Sequence, residues 1–217
     1  VACPARQLEA IVHFASRGAM DIRGLGYERV RQLLDARLIT NVAHLYDLTP
    51  GQLVELDRFA DQSAAQLVAA IAMSKKQPLS ILLFGLGIRH VGKTVAVLLA
   101  RRFGTMAALA SASEEAINAV PGVGPAIAEA VTAFFGEPRN RQLIDRLGEA
   151  GLNFEEPSAE AADGPLAGKT YVLTGTLPTL SRTDAAALIE GAGGRVAGSV
   201  SPKPDAVVAA LGRGSCR

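Results

Sequence analysis

The chemistry in this sequence lies in glycines that recur at a fixed interval. Ile22-Arg-Gly-Leu-Gly26, Leu56-Asp-Arg-Phe-Ala60, Ile88-Arg-His-Val-Gly92 and Val120-Pro-Gly-Val-Gly124 share one pattern, closing at positions 26, 60, 92 and 124. A period of about 32 residues points to a repeated supersecondary unit. Each segment starts apolar, turns tightly and runs into an apolar-periodic helix. One glycine permits positive φ in the turn. The other lets a backbone N–H approach a large anion with no Cβ in the way. The helix that follows offers unpaired amides and a partial positive charge, which together form a phosphate site. Two such units packed face to face would present two phosphate sites with approximate two-fold symmetry. That suits the two backbones of a duplex and reads no bases.

The four copies are unequal. Gly24 with Gly26, and Gly122 with Gly124, keep both glycines. The third keeps Gly92, followed by Lys93 and Thr94 and preceded by Arg89 and His90. The second has Arg58 and Ala60 in place of the glycines. It reads either as a packing copy or as a copy acting through the Arg58 side chain. These ten residues are the candidate DNA contacts: Gly24, Gly26, Arg58, Arg89, His90, Gly92, Lys93, Thr94, Gly122 and Gly124.

Two other chemistries are only partly represented in the sequence. Gly87-Ile-Arg-His-Val-Gly92-Lys93-Thr94 satisfies the P-loop expression. A P-loop needs a parallel sheet and a later strand ending in a magnesium-binding Asp, and the first 152 residues offer neither. Structural zinc needs four ligands, usually in Cys-x-x-Cys pairs. The chain has two Cys, Cys3 and Cys216, at opposite ends. His90 sits in a turn, while His13 and His44 read as ordinary helix residues.

The positioning elements are mainly helical. Aromatic content of 5% and the absence of Trp leave packing to aliphatic residues and Ala, which favours helices over a β-sandwich. Helices are predicted over 7–16, 27–36, 41–48, from Thr49-Pro50, from Ser63 to 74, 93–103, from Ser111 to 119, 125–135 and 138–151. Net charge is +1, but Asp and Glu are missing between Asp61 and Glu114, where Lys75, Lys76, Arg89, Lys93, Arg101 and Arg102 lie. That segment reads either as a solvated face or as a phosphate-facing one. No membrane span or signal peptide is read, and the Cys usage fits a reducing compartment.

Residues 155–165 are acidic, small and flanked by Pro, the composition of a linker. Strands are predicted over 169–174, 195–200 and 206–209, with a helix over 182–192. This order implies a small α/β unit with a partly parallel sheet.

The residues carry a resemblance. Phe14 to Gly26, Leu86 to Gly92 and Val120 to Gly124 resemble the tandem helix–hairpin–helix domain of the bacterial NAD-dependent DNA ligases. Lys169 to Pro178 resembles the start of their BRCT domain, and Cys3-Pro-Ala5 is similar to the last ligand of their four-cysteine zinc finger. The resemblance implies a mainly α fold: a zinc-finger remnant and connecting helix over 1–16, a helix–hairpin–helix domain over 17–152, a linker over 153–165, and a truncated BRCT-like α/β domain over 166–217. It implies the C-terminal portion of an enzyme that seals nicks in duplex DNA during replication and repair, in the bacterial cytosol. The full enzyme would need NAD, magnesium and zinc. This portion alone binds no cofactor and is inactive, because the family's Lys-x-Asp-Gly nucleophile motif does not occur in it. Its partners would be nicked double-stranded DNA and, through the BRCT-like domain, a protein; it would be a monomer and touch no membrane. In related BRCT modules Thr174-Gly175 and a later lysine hold phosphopeptides, but Cys216 stands at the lysine position. The alternative is a non-catalytic repair scaffold with the same two modules.

Overall fold

The computed structural model describes residues 4–157, 166, 169–174, 185, 186, 188, 189, 192, 195–197 and 206–209. It divides into two compact units, Val1–Glu156 and Pro157–Arg217. Cys3 and Cys216 lie outside the described residues.

The first unit is helical: α1 (Pro4–Ala15), α2 (Tyr27–Asp35), a 3-10 helix (Val42–Asp47), α3 (Pro50–Val54), α4 (Asp61–Ser74), α5 (Leu79–Gly85), α6 (Lys93–Phe103), α7 (Met106–Ala110), α8 (Glu114–Asn118), α9 (Pro125–Gly136) and α10 (Pro138–Glu149). The recurring unit is a pair of helices joined by one of the four turns: α1 and α2, α3 and α4, α5 and α6, α8 and α9. Position four of each second helix carries Val30, Ala64, Ala96 or Ala128, and position seven carries Leu33, Leu67, Leu99 or Val131. All eight are buried. That shared spacing gives every unit the same helix face toward one common core.

Capping chemistry sets several boundaries. Asn41 Oδ1 accepts from the Ala43 amide and opens the 3-10 helix. Thr49 and Gln52 form a capping box ahead of Pro50. Gly104, at φ +73, closes α6. Two expected starts move. α4 begins at Asp61, because Ser63 Oγ accepts from the Ala60 amide from inside the first turn. Ser113 caps α8, while Ser111 ends α7. Residues 79–86, which could pass as a strand, form α5, so no strand precedes the P-loop-like segment.

Both ends of the helical unit extend past the expected limits. α1, the expected connecting helix, packs into the unit: Leu8, Ile11, Phe14 and Ala15 form a buried stripe in the core. His13 Nε2 bonds Phe84 O at 2.9 Å. At the other end, residues 153–156 are stitched into the unit rather than serving as linker. The Asn153 amide donates to Lys75 O, Leu79 to Glu155 O, Met106 to Phe154 O, and Glu156 to Gly104 O. The Glu156 carboxylate accepts from the Ser80 amide at 2.8 Å and from Ser80 Oγ at 2.9 Å, satisfying the start of α5.

The second unit holds a parallel sheet of order β2-β1-β3, with β1 at Thr170–Thr174, β2 at Arg195–Ala197 and β3 at Ala206–Ala209. Val172 sits opposite Ala197 on one side and Val207 on the other. Of the helix expected over 182–192, Ala185, Ala186, Leu188 and Ile189 are helical and the rest lies largely outside the described residues. Tyr171, Ala185 and Ile189 form its buried cluster. The Thr174-Gly175 motif and residues 198–200 extend beyond what is described.

No single described helix is long and apolar enough to cross a membrane. α4 and α5 pass together on length and composition but meet at 117°. Both bury apolar residues in the core, including Leu67, Ile71, Leu82 and Leu83.

Candidate nucleic-acid interface

All four turns adopt one backbone conformation. In each, the first residue's carbonyl accepts from the amide three residues on: Leu25 to Ile22 at 3.2 Å, Phe59 to Leu56 at 3.2 Å, Val91 to Ile88 at 3.0 Å, Val123 to Val120 at 2.9 Å. The third residue has positive φ: Gly24 +86°, Arg58 +63°, His90 +64°, Gly122 +88°. These are type II turns. The fifth residue is an extended N-cap, with ψ of 178° at Gly26, 163° at Ala60, 178° at Gly92 and 172° at Gly124. Ile22, Leu25, Ile88, Val91, Val120 and Val123 are buried, so they pin the turns while the second and third residues of each turn stand in solvent. Leu56 and Phe59 are only half-buried, so the second turn is pinned less deeply.

The amides separate the copies. At α2, α6 and α9 no side chain caps the helix. Among the described residues no acceptor takes the amides of Gly92, Lys93 and Thr94, nor those of Gly124 and Ala126. A Cβ built on Gly26, Gly92 or Gly124 meets nothing within 4 Å, so no neighbouring side chain crowds these N-caps. The second turn is different. Ser63 occupies the Ala60 amide, Ala60 carries a Cβ, and Asp57 and Asp61 flank the turn. Its main chain is no anion site, although its fold is the same. The first turn is intermediate: Glu28 lies in the first turn of α2. The third and fourth have no acid there.

The turns are joined in pairs. In the first pair, Arg29 donates to Gly24 O at 2.8 Å and lies 4.7 Å from the Phe59 ring centroid, while Gln32 Nε2 donates to Asp57 O at 2.9 Å. In the second, the Cβ position of Gly122 lies 3.1 Å from Leu98 Cδ1 on α6. Arg89 and His90 line a groove against Ala126, Ala130 and Ala133 of α9. Arg29 was not foreseen among the candidate residues. Its role depends on hairpins about 30 residues apart meeting in space, which no local pattern announces.

The cationic segment is spread over the end of α4, the third turn and α6. Lys93 Nζ lies 5.5 Å from the Phe84 ring and is drawn back over Gly18, whose Cβ position it approaches at 2.8 Å. Arg101 and Arg102 end α6, about 12 Å along the axis from Lys93. Lys75 caps the C-terminus of α4 near Tyr46. Arg89 and His90 stay exposed beside the third turn.

Other titratable groups serve the fold. Burial pushes Tyr46 up to about 12, and its hydroxyl bonds Ser74 Oγ at 3.0 Å. Burial and then the Arg146 charge lower His44, with Asp47 opposing; Arg146 also bonds Asp47 at 2.9 Å. No three His, Cys, Asp or Glu gather as a metal site among the described residues. The described residues therefore do not fit a zinc centre.

Comparison with known proteins agrees with this geometry. The family model of the helix-hairpin-helix motif matches residues 81–144, spanning the third and fourth turns. That of the BRCA1 C Terminus (BRCT) domain matches residues 162–213. The chain is 56% identical over 215 residues to a DNA ligase of Gemmatimonas aurantiaca, and 50% identical over 213 residues to a DNA ligase of Acidobacterium capsulatum. These alignments cover 99% and 98% of this chain but 31% of each relative. The chain thus spans about a third of the length of the curated relatives it matches. Over that third it is similar to these DNA ligases, and it joins a helix–hairpin–helix region to a BRCT region.

Proposed function

We propose that this chain is the DNA-binding C-terminal part of an NAD-dependent DNA ligase that seals nicks in replication and repair. In this reading it grips duplex DNA without regard to sequence, using main-chain amides at the first, third and fourth turns. The observation that carries it is the shared type II turn and extended N-cap, with amides that have no acceptor among the described residues at uncrowded Gly92 and Gly124. A phosphate oxygen there would accept from the Gly92, Lys93 and Thr94 amides, and a second phosphate from those of Gly124 and Ala126. The partial charge of α6 and α9 favours both. Such contacts position a duplex and leave the bases unread.

The adenylation chemistry of the whole enzyme, with its NAD and magnesium, would reside outside this chain, which has no Lys-x-Asp-Gly motif. The BRCT region would supply a protein contact, with the chain a cytoplasmic monomer. The test is fluorescence anisotropy of the full chain on nicked duplexes of unrelated sequence at low salt. Equal affinities that fall with salt are expected; no binding even in dilute buffer would end the proposal.

A further inference from the structure

Two of the four turns carry a side chain where the backbone favours glycine. Arg58 and His90 sit at φ +63° and +64°, the position filled by Gly24 and Gly122 in the other copies. Left-handed backbone is unfavourable for a residue with a Cβ, and Arg is not among those that tolerate it best. Each pair holds one of each kind: Gly24 with Arg58, and His90 with Gly122. Both side chains are exposed, and among the described residues neither takes part in a hydrogen bond or salt bridge.

Their surroundings are also alike. Each stands on the wall of an open groove against the helix of the paired hairpin, Arg58 beside Gln32 and Asp35 of α2, His90 beside Ala130 and Ala133 of α9. Where the apex is Gly122, the facing helix instead brings Leu98 up against it. Charges balance in both grooves: Glu28, Asp35 and Asp57 against Arg29, Arg31 and Arg58 in one, Glu129 against Arg89 in the other. Neither groove carries the excess positive charge that gathers phosphate, while Arg58 and His90 supply hydrogen-bond donors.

We propose that Arg58 and His90 are side-chain contacts to the duplex, donating to uncharged acceptors in the groove between its strands (sugar oxygens and the base-edge acceptors common to A·T and T·A pairs) while the main-chain amides hold phosphate. The inference rests on the DNA-binding reading above. In the full chain, His90→Gly and Arg58→Gly are each expected to raise the melting temperature by about 3 °C, because the turn relaxes. Each is also expected to weaken binding to a nicked duplex about tenfold, the loss of a good groove contact. His90→Asn keeps a residue suited to the left-handed turn with a shorter reach, and is expected to weaken binding as well. Binding within twofold of the parent in both glycine variants overturns the inference, as does a lowered melting temperature, which would assign the side chains to holding the turn. If the parent itself does not bind, the DNA-binding reading fails. If the parent binds and Gly92→Ser weakens it while the glycine variants do not, this inference alone fails.

Discussion

Gly92→Ser separates a structural glycine from a functional one. Gly92 caps α6 with φ −80° and ψ 178°, which any residue adopts, and a Cβ there meets nothing within 4 Å. Serine is the better N-cap, by a few tenths of a kcal/mol. The melting temperature should therefore hold or rise by about 1 °C. Binding should move the other way. The serine Oγ accepts an amide of the first turn of α6, and its Cβ stands in the space a phosphate oxygen would fill. Losing one charge-assisted hydrogen bond costs about 1.5–3 kcal/mol, or about 10- to 150-fold in affinity. No cation is removed, so the slope of log K against log salt should not change. Arg89→Ala is the contrasting control: if Arg89 neutralises a phosphate, the slope should fall by about 0.9. Anisotropy titrations between 50 and 200 mM salt, paired with thermal melts, read both quantities. A Gly92→Ser chain that melts like the parent and binds like the parent refutes the reasoning.

Gly122→Ala should lower stability by about 1–2 kcal/mol in urea unfolding, since it combines a left-handed φ with a close approach to Leu98. Glu156→Ala should cost about 1–2 kcal/mol by the same measurement, because two bonds to Ser80 at the start of α5 are lost. Tyr46 has a folded pKa raised to about 12, so its contribution is present below pH 10 and lost as pH rises toward 12. Alkaline unfolding monitored by circular dichroism should be shallower in Tyr46→Phe. His44 is lowered on folding, so its contribution is present above the ordinary value of 6.5 and lost as pH falls through the lower folded one. His44→Gln should flatten the loss of stability on acidification below pH 6.5.

The repeat was legible because each unit spends the same residue types at the same offsets. Glycines or their substitutes mark the turn, and an apolar residue at positions four and seven of the next helix marks the core. The Lys93–Phe103 helix could be read to the residue, since a glycine bounds it on each side. Capping was less legible where two hydroxyls compete: Ser111 and Ser113 both precede Glu114, and only the backbone decides between them. The tie of 153–156 to the helical unit was hidden because its acceptors and donors lie between 48 and 78 residues away, at Lys75, Leu79, Ser80, Gly104 and Met106. The left-handed backbone at Arg58 and His90 could have been found by aligning the four copies on Gly24 and Gly122. The direction of Lys93 could not, because it follows from the Phe84 ring and the bare surface of Gly18.

The central claim is tested most directly at the amides themselves. Nitrogen-15 resonances of the full chain, followed during titration with a nicked duplex, report each main-chain N–H. The largest changes are expected at Gly92, Lys93, Thr94, Gly124 and Ala126, a smaller one at Gly26, and almost none at Ala60. Changes confined to other surfaces, with the amides of Gly92 and Gly124 unmoved at saturation, would contradict the account.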